Sequence, residues 1–511
     1  MVHIADALQR MHRAEKHGQA LALSLYQHIL TPSMTTNWSM PLIFCQLNES
    51  YCTPLVNIDK FSAIVYNPSS ISNQVWMRIP VAEQQTINLD IDNVKKFSID
   101  AIEIGTINLS PILQSIPIVQ ARNQLQELIV RVHVPPLSLQ AIPFIISSSD
   151  TISHQASGLY VFRPIGTNPP QQVNIKHFYC FKHKGYEEII QVYSSYVNQS
   201  IRLLDNSPYI EFEWIVGRLN TNVEFVTSYE SKDLNNNGIY YTDSSGRSLM
   251  KRIRDQRDGY RFKQSEQSAG NYYPLVTGIM IQNAQQDLQM SIITDRAQGG
   301  GSIKDGQVEI MLHRRVLTDD SLGVSELLNE VGIDGQGLVV RGRHLLSVAK
   351  PNDSMKFFRE YALKSVWRPV IAFRDDSNDQ PLDYKTWSLL KTELPPQVNI
   401  LTIEPLSQEK NILTILFRIE HIYDRNEHSK LSKSISIEIH KIFNNHKLLE
   451  AKEVTLGANM YKTEAFDRLK WTPDSTYEDK SEYNQTPNFD GQTIHLDPMQ
   501  IRSFIIKLKK H

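Results

Sequence analysis

Hydrophobic side chains alternate with polar ones over short runs along most of the chain, the period of a strand with one buried face. The clearest runs lie within Ala269–Glu326, where Leu288, Met290 and Ile292 alternate with Gln289, Ser291 and Ile293. Further on, Val308, Ile310 and Leu312 alternate with Glu309, Met311 and His313. Between the two runs, Gly299, Gly300 and Gly301 and then Asp305-Gly306 supply the positive-φ residues of a reversal. This glycine-rich run lacks the Gly-Lys-Ser/Thr ending of a phosphate loop and leads into a strand, so it reads as a turn. Tyr272 and Tyr273 stand just before Pro274, where the chain is biased to extended geometry.

The pattern divides the chain. Ile4, Leu8 and Met11, then Leu21, Leu25 and Ile29, fall at helical spacing on either side of Gly18. Residues 1–30 therefore read as two short helical pieces that need a partner bundle. Pro32 ends them and a linker loop follows over 31–57. FSAIVY, VWMRIPV, TINLDI and ELIVRVHV predict a small β-sandwich over 58–150. YVF, EIIQVYSSYV, YIEFEWIV, the central stretch and GLVVRGRHLLSV predict a large antiparallel sandwich over 151–395. Beyond the polar, proline-containing RDDSNDQPLDYKTW and ELPPQ, further strands predict a C-terminal sandwich over 396–511. The fold class is thus mainly β, several antiparallel sandwiches with a short helical start.

With 511 residues the chain is too long for a single core. A formal net charge of −2 gives no basic excess, so a nucleic-acid partner is not expected. No run of uninterrupted apolar residues is long enough for a membrane span. Cys45 and Cys52 flank six residues of a polar loop and read as a disulfide staple, half a metal site or coincidence; Cys180 stands alone. Asn-x-Ser/Thr sequons make Asn37, Asn48, Asn198, Asn352 and Asn484 candidate glycosylation sites, and Asn108 a poorer one because Pro111 follows. The first eighteen residues have no apolar core or cleavage site and so are not a signal peptide.

Candidate chemistry is sparse. His12 and His17 are five apart and fall on different helix faces, so they are not expected to share a metal. His421, Asp424, Glu427 and His428 look metal-like, but the expected reading is a solvated polar loop. Arg247, Lys251, Arg252, Arg254, Arg257, Arg261 and Lys263, interleaved with Asp255 and Asp258, predict an ion-paired sheet face or an interdomain contact. Asn271, Tyr272, Tyr273, Asp295, Arg296, His313, Arg314, Arg315, Asp319 and Asp320 crowd one short segment. Such a mixture suits sugar recognition and equally a well-bonded sheet edge.

GNYYP, TDRAQGGGSIKDG and EIMLHRRVLTDDSLGVSE together resemble the C-terminal half of lysosomal-type α-mannosidases, glycoside hydrolase family 38. The resemblance extends to FSAIVYNPSS, HQASGLYVFRP, YIEFEWIVG, YYTDSSGRSLMKRIRDQR, RLKWT and LDPMQIRSF, and so covers nearly everything after about residue 36. It implies a galactose-mutarotase-like large sandwich and, in HIADALQ, the end of a helical bundle. It also implies a retaining hydrolysis of terminal α-linked mannose from N-glycans, in a lysosome or secretory lumen. The zinc of that reaction, its two His and two Asp ligands and the catalytic carboxylates belong to the family's N-terminal part. No catalytic or metal residue, and no bound cofactor, is therefore expected in this chain, which is read as an internal or truncated portion of a longer gene.

The resemblance further implies that Tyr272 or Tyr273 reaches the sugar pocket, with Asn271, Arg314, Arg315 and Asp320 as weaker substrate-binding candidates. It favours the staple for Cys45 and Cys52. The partners it implies are a mannose-containing glycan and an N-terminal catalytic domain or subunit. Two other functions fit the same sandwiches: a non-catalytic carbohydrate- or protein-binding module, or a docking subunit for a separate catalytic chain. One departure stands out, because IISSSDTISHQASG joins the small sandwich to HQASGLYVFRP almost directly where the family carries additional strands.

Overall fold

The computed structural model describes residues 157–159, 161–164, 173–183, 185–261, 264, 266–283, 285, 287–319, 326–332, 335–375, 388–465 and 487–510, with the backbone of five earlier strands. These five are β1 (Phe61–Tyr66), β2 (Asn73–Ala82), β3 (Ile104–Asn108), β4 (Leu125–Val134) and β5 (Ile145–Ser148). The expected helices of 1–30, the linker with Cys45 and Cys52, the strand TINLDI, and Asn37, Asn48, Asp320 and Asn484 lie outside the described residues.

The large sandwich begins with β6 (His177–His183), β7 (Tyr186–Ser194), β8 (Val197–Leu204), β9 (Ile210–Val216), β10 (Val223–Glu230), β11 (Ile239–Ser244) and β12 (Ser248–Ile253). A short helix, α1 (Gln267–Asn271), leads into β13 (Tyr273–Leu275), β14 (Gly278–Asn283), β15 (Leu288–Thr294), β16 (Gln298–Gly301), β17 (Gln307–Arg315) and β18 (Val340–Ala349). Helix α2 (Pro351–Val366) and β19 (Val370–Asp375) follow. The C-terminal sandwich holds β20 (Val398–Glu409), β21 (Ile412–His421), β22 (Ile435–Glu438), β23 (His446–Val454), β24 (Thr493–Leu496) and β25 (Ile501–Lys510).

Two antiparallel sheets face each other in the large sandwich. One has nine strands in the order β12-β11-β14-β15-β18-β9-β8-β7-β6; the other has five, β13-β16-β17-β10-β5. The alternation seen in sequence fixes their inner faces: Val308 and Ile310 of one sheet and Ile279, Ile281 and Ile292 of the other are fully buried in a common core. Trp214, completely enclosed at its centre, lies across Gly342, which has no side chain to obstruct the ring.

The structure departs from the sequence reading in three places. Ile145–Ser148, assigned by its sequence to the small sandwich, pairs antiparallel with β10 of the large one. β1 of the first block likewise pairs with β19, so the blocks share sheets. Second, Gly299, Gly300 and Gly301 do not turn. They lie in β16, where a side chain at Gly300 would meet the Glu309 carbonyl and one at Gly301 the Asn271 carbonyl, so the glycines permit close backbone approach. The reversal is made at Asp305-Gly306, with φ +73° at Gly306. Third, α2 was not anticipated as a helix. Pro351 at its first turn, and Phe357, Phe358 and Ala362 on one face, pack it on Ile293 and Leu345 of the large sheet. This explains why Gln289 and Ser291 are buried as well as their apolar neighbours: Ser291 Oγ meets Ser354 Oγ of α2 at 2.8 Å.

Candidate functional site

The described candidate residues lie on or beside strands β13 and β17 of the five-stranded sheet, and most have structural partners. Asn271 is fully buried. Its amide nitrogen donates to Asp255 Oδ1 at 2.8 Å and to the Gln267 carbonyl at 2.9 Å, and its Oδ1 accepts from the Asp255 backbone N–H at 2.9 Å. It closes a loop, and both of its amide hydrogens are spent on the chain itself. Arg314 donates to Glu224 at 2.8 Å and to the carbonyls of Gly158 and Val161 at 2.8 and 2.9 Å. Arg315 donates to Asn329 at 2.8 Å and to the Leu219 carbonyl at 2.9 Å, and its guanidinium lies over Gly337. Both arginines tie strand β17 to adjoining loops.

The two tyrosines separate because successive strand residues face opposite ways. Tyr272 packs against Phe162, ring centroids 4.8 Å apart, and its hydroxyl donates to Glu309. Tyr273 instead sits at the rim of the core beside Tyr240, with the Arg252 guanidinium 4.0 Å and the Arg257 guanidinium 5.3 Å from its ring centroid. Its ring touches these two cations and, like Tyr272, is partly buried.

Two acidic groups escaped the sequence reading. Glu224 and Glu309, on the paired strands β10 and β17, are 0% and 4% exposed. Burial pushes Glu309 up to about 6, against the hydrogen bond from Tyr272. Burial also raises Glu224, although Arg314 and the Ser157 hydroxyl, 2.9 Å away, favour its charged form. Tyr272 is pushed well above the usual phenol value by burial and then by Glu309. The available signal was Glu309 between Val308 and Ile310 of β17, which reads as solvent-facing until Tyr272 is placed against it.

The arginine-rich segment behaves as an architectural contact. Arg254 pairs with Asp305 at 2.5 Å, while Arg247 reaches the C-terminal sandwich through Glu420 and the Met499 carbonyl, the latter at 2.8 Å. His421 and Glu427 are not solvated as expected. His421 is fully buried with its ring nitrogens 3.1 and 2.9 Å from the Tyr423 and Lys433 carbonyls, and Glu427 accepts from Arg359 of α2. Among the described residues no three His, Cys, Asp or Glu side chains are grouped to hold a metal ion. Of the sequons, Asn198 is 5% exposed within the sheet, where a glycan has no room, whereas Asn352 is exposed on α2 and hydrogen-bonded to Ser429 at 3.1 Å. Asn108 ends β3. No helix of the described residues is long and apolar enough to cross a membrane.

The fold is thus a set of antiparallel β-sandwiches, with Tyr273 on the five-stranded sheet of the large one beside Arg252 on its nine-stranded sheet. The family profile described as glycosyl hydrolases family 38 C-terminal domain matches residues 147–322. Lysosomal α-mannosidase of Felis catus is 34% identical over 372 residues, covering 71% of this chain and 36% of that protein. Lysosomal α-mannosidase of Bos taurus is 30% identical over 521 residues, covering 91% of this chain and 50% of that protein. Among solved structures, an α-mannosidase from Enterococcus faecalis superposes with a TM-score of 0.45 at 10% identity, over 87% of this chain and 55% of that one. The chain belongs to glycoside hydrolase family 38, as a C-terminal α-mannosidase portion. It spans between about a third and a half of the length of the curated relatives it matches.

Proposed function

We propose that these sandwiches form the β-side of an α-mannosidase that removes terminal α-linked mannose from N-glycans in a lysosome or secretory lumen. The catalytic zinc and the two carboxylates of a retaining reaction belong, in this reading, to an N-terminal catalytic domain or subunit that the sandwiches support. The observation that carries the proposal is the match to family-38 C-terminal sequence together with Tyr273, a partly exposed ring in contact with Arg252 and Arg257 within the matched region. A phenol so fixed can pack on a sugar face and donate one hydrogen bond without losing further rotamer freedom.

The test is an assay with an aryl α-mannoside and added zinc. The chain alone is expected to give no turnover, and the chain produced together with a family-38 catalytic portion is expected to give zinc-dependent release. Turnover by the chain alone would overturn the reading. Glycan binding by the isolated chain, unaffected by loss of Tyr273, would favour a free-standing carbohydrate-binding module instead.

A further inference from the structure

The C-terminal sandwich carries a group of cations without matching anions. Elsewhere on β23 the charges are balanced. Glu450 takes Lys452 and Lys507, both at 2.7 Å, and Glu453 takes Lys462 at 2.9 Å and Arg502 at 2.5 Å. At the start of the same strand Lys447 stands directly opposite Lys509 of β25. Like charges so placed weaken a sheet. Neither lysine is ion-paired among the described residues, and nor is Lys391, which lines the same hollow as Lys447.

The hollow is built by the turn between β22 and β23. Residues 388–391 pair with this turn: the Lys391 N–H donates to the Ile442 carbonyl at 2.8 Å, and the Asn444 N–H to the Leu389 carbonyl at 2.7 Å. The Asn444 side chain donates to the Ser388 carbonyl at 3.2 Å, and Phe443 is fixed edge-on against Phe417, ring centroids 5.5 Å apart. The enclosed volume is about 520 Å³, lined by Lys391, His440, Phe443, Asn445, His446 and Lys447 with two further residues. Sites for small ligands typically span about 300–1,000 Å³. Among the described residues no carboxylate lines it. Glu438, beside His440 at 3.5 Å, is engaged by Lys441 at 2.6 Å.

We propose that this hollow binds an anionic sugar, a pyranose bearing a phosphate or a carboxylate group. Lys391 and Lys447 supply the charge, and a bound anion relieves the repulsion between Lys447 and Lys509. Asn445, at φ +52°, brings an amide with two donors and an acceptor for hydroxyl groups. The His446 Nδ1–H donates to the Asn444 carbonyl at 2.7 Å, which leaves Nε2 to accept from a hydroxyl. Phe443 supplies an apolar floor. A bare inorganic ion has no use for the amide, the imidazole and the ring, whereas a hydroxylated ring with one charged substituent uses them all. The hollow shares no residue with the Tyr273 cluster of the large sandwich.

Isothermal titration calorimetry on the full chain tests this, with glucose 6-phosphate and glucuronate as probes and glucose and inorganic phosphate as controls. The expected result is one saturable site for at least one charged sugar, about tenfold or more tighter than for either control. The preferred probe then identifies the anionic group as phosphate or carboxylate. Raising NaCl from about 0.05 to about 0.5 M should weaken binding, because both lysines are exposed. Lys391→Gln combined with Lys447→Gln should weaken it by about tenfold or more. The same variant should melt no lower than the parent chain, since a like-charge pair is relieved. Asn445→Asp keeps the side-chain shape and a residue that tolerates positive φ, and should abolish binding by placing a carboxylate in the hollow. Tyr273→Phe should leave binding unchanged. Absence of saturable binding by both charged sugars would overturn the proposal. So would inorganic phosphate bound as tightly as the sugars, or an affinity that survives the lysine changes or Asn445→Asp.

Discussion

The Tyr272 hydroxyl donates to the carboxylate of Glu309, and burial holds that carboxylate up to about 6, against an ordinary value of 4.5. A carboxyl whose folded pKa is raised binds its proton more tightly in the folded state. Its stabilising effect is full below the unfolded value and is lost as pH rises through about 6. For a shift of this size the loss is on the order of 2 kcal/mol. Glu309→Gln keeps an acceptor for Tyr272 but cannot ionise. Thermal melts from mildly acidic to slightly alkaline pH should show a shallower fall in Tm for the variant than for the parent chain. Equal slopes would mean that Glu309 ionises as freely as an exposed glutamate.

Tyr272 and Tyr273, adjacent in sequence, should answer differently to loss of the hydroxyl. Tyr272→Phe takes a donor from a carboxylate that is 4% exposed, and should cost about 1–3 kcal/mol of stability. Tyr273→Phe keeps the ring under Arg252 and should change stability by less than about 0.5 kcal/mol. If the proposed function holds, the same Tyr273→Phe change in the assembled enzyme should lower kcat/KM for mannosides, while Tyr272→Phe acts through stability alone. Urea denaturation and mannoside kinetics on both variants separate the two effects.

Much of this architecture was legible in the alternating pattern, because strands with a shared buried face carry it in their own residues. Leu288, Met290 and Ile292 and then Val308, Ile310 and Leu312 line the inner faces as their spacing required. The elements that were missed depend on what covers a second face. Helix α2 has a broken apolar pattern because it also buries Arg359 and Lys364. Glu309 is indistinguishable from a solvent-facing glutamate until Tyr272 and Phe162 are placed over it. For the candidate site residues the sequence showed that they crowd one segment but not which partners they take. Asn271, Arg314 and Arg315 are spent on Asp255, Glu224 and Asn329, partners that are distant in sequence or hidden in loops.

A third test concerns a buried charge cluster on the large sheet. Arg202, 7% exposed, donates to Glu188 at 2.7 Å, Glu211 at 2.5 Å and Glu213 at 2.7 Å. One guanidinium fork thus serves carboxylates on β7 and β9, either side of its own strand β8. Arg202→Met removes the shared cation from three acidic groups in a poorly solvated place and should cost about 3–5 kcal/mol. Arg202→Lys should recover only part of this, because a single ammonium cannot reproduce the planar three-way geometry. Urea midpoints for the two variants check the order; a lysine variant as stable as the parent would show that charge alone suffices.

The C-terminal sandwich is fastened to the large one through α2. Arg359 is 5% exposed and donates through Nε to Glu427 at 2.9 Å, through another nitrogen to the second Glu427 oxygen, and onward to the Arg247 carbonyl. Glu427 in turn accepts from the Asp424 backbone N–H at 2.9 Å, so the loop after β21 is closed by the same carboxylate that holds the helix. Such a bidentate pair, largely shielded from water, resists salt far better than a surface ion pair. Glu427→Gln keeps the side-chain shape but loses the charge and should weaken the contact by about 2–4 kcal/mol. Limited proteolysis then offers a local readout. Cleavage in the segment between β19 and β20 should accelerate in Glu427→Gln and in Arg359→Met alike, with no further acceleration in the double variant. Additive acceleration in the double variant would mean that the two residues stabilise the junction independently and not as a pair.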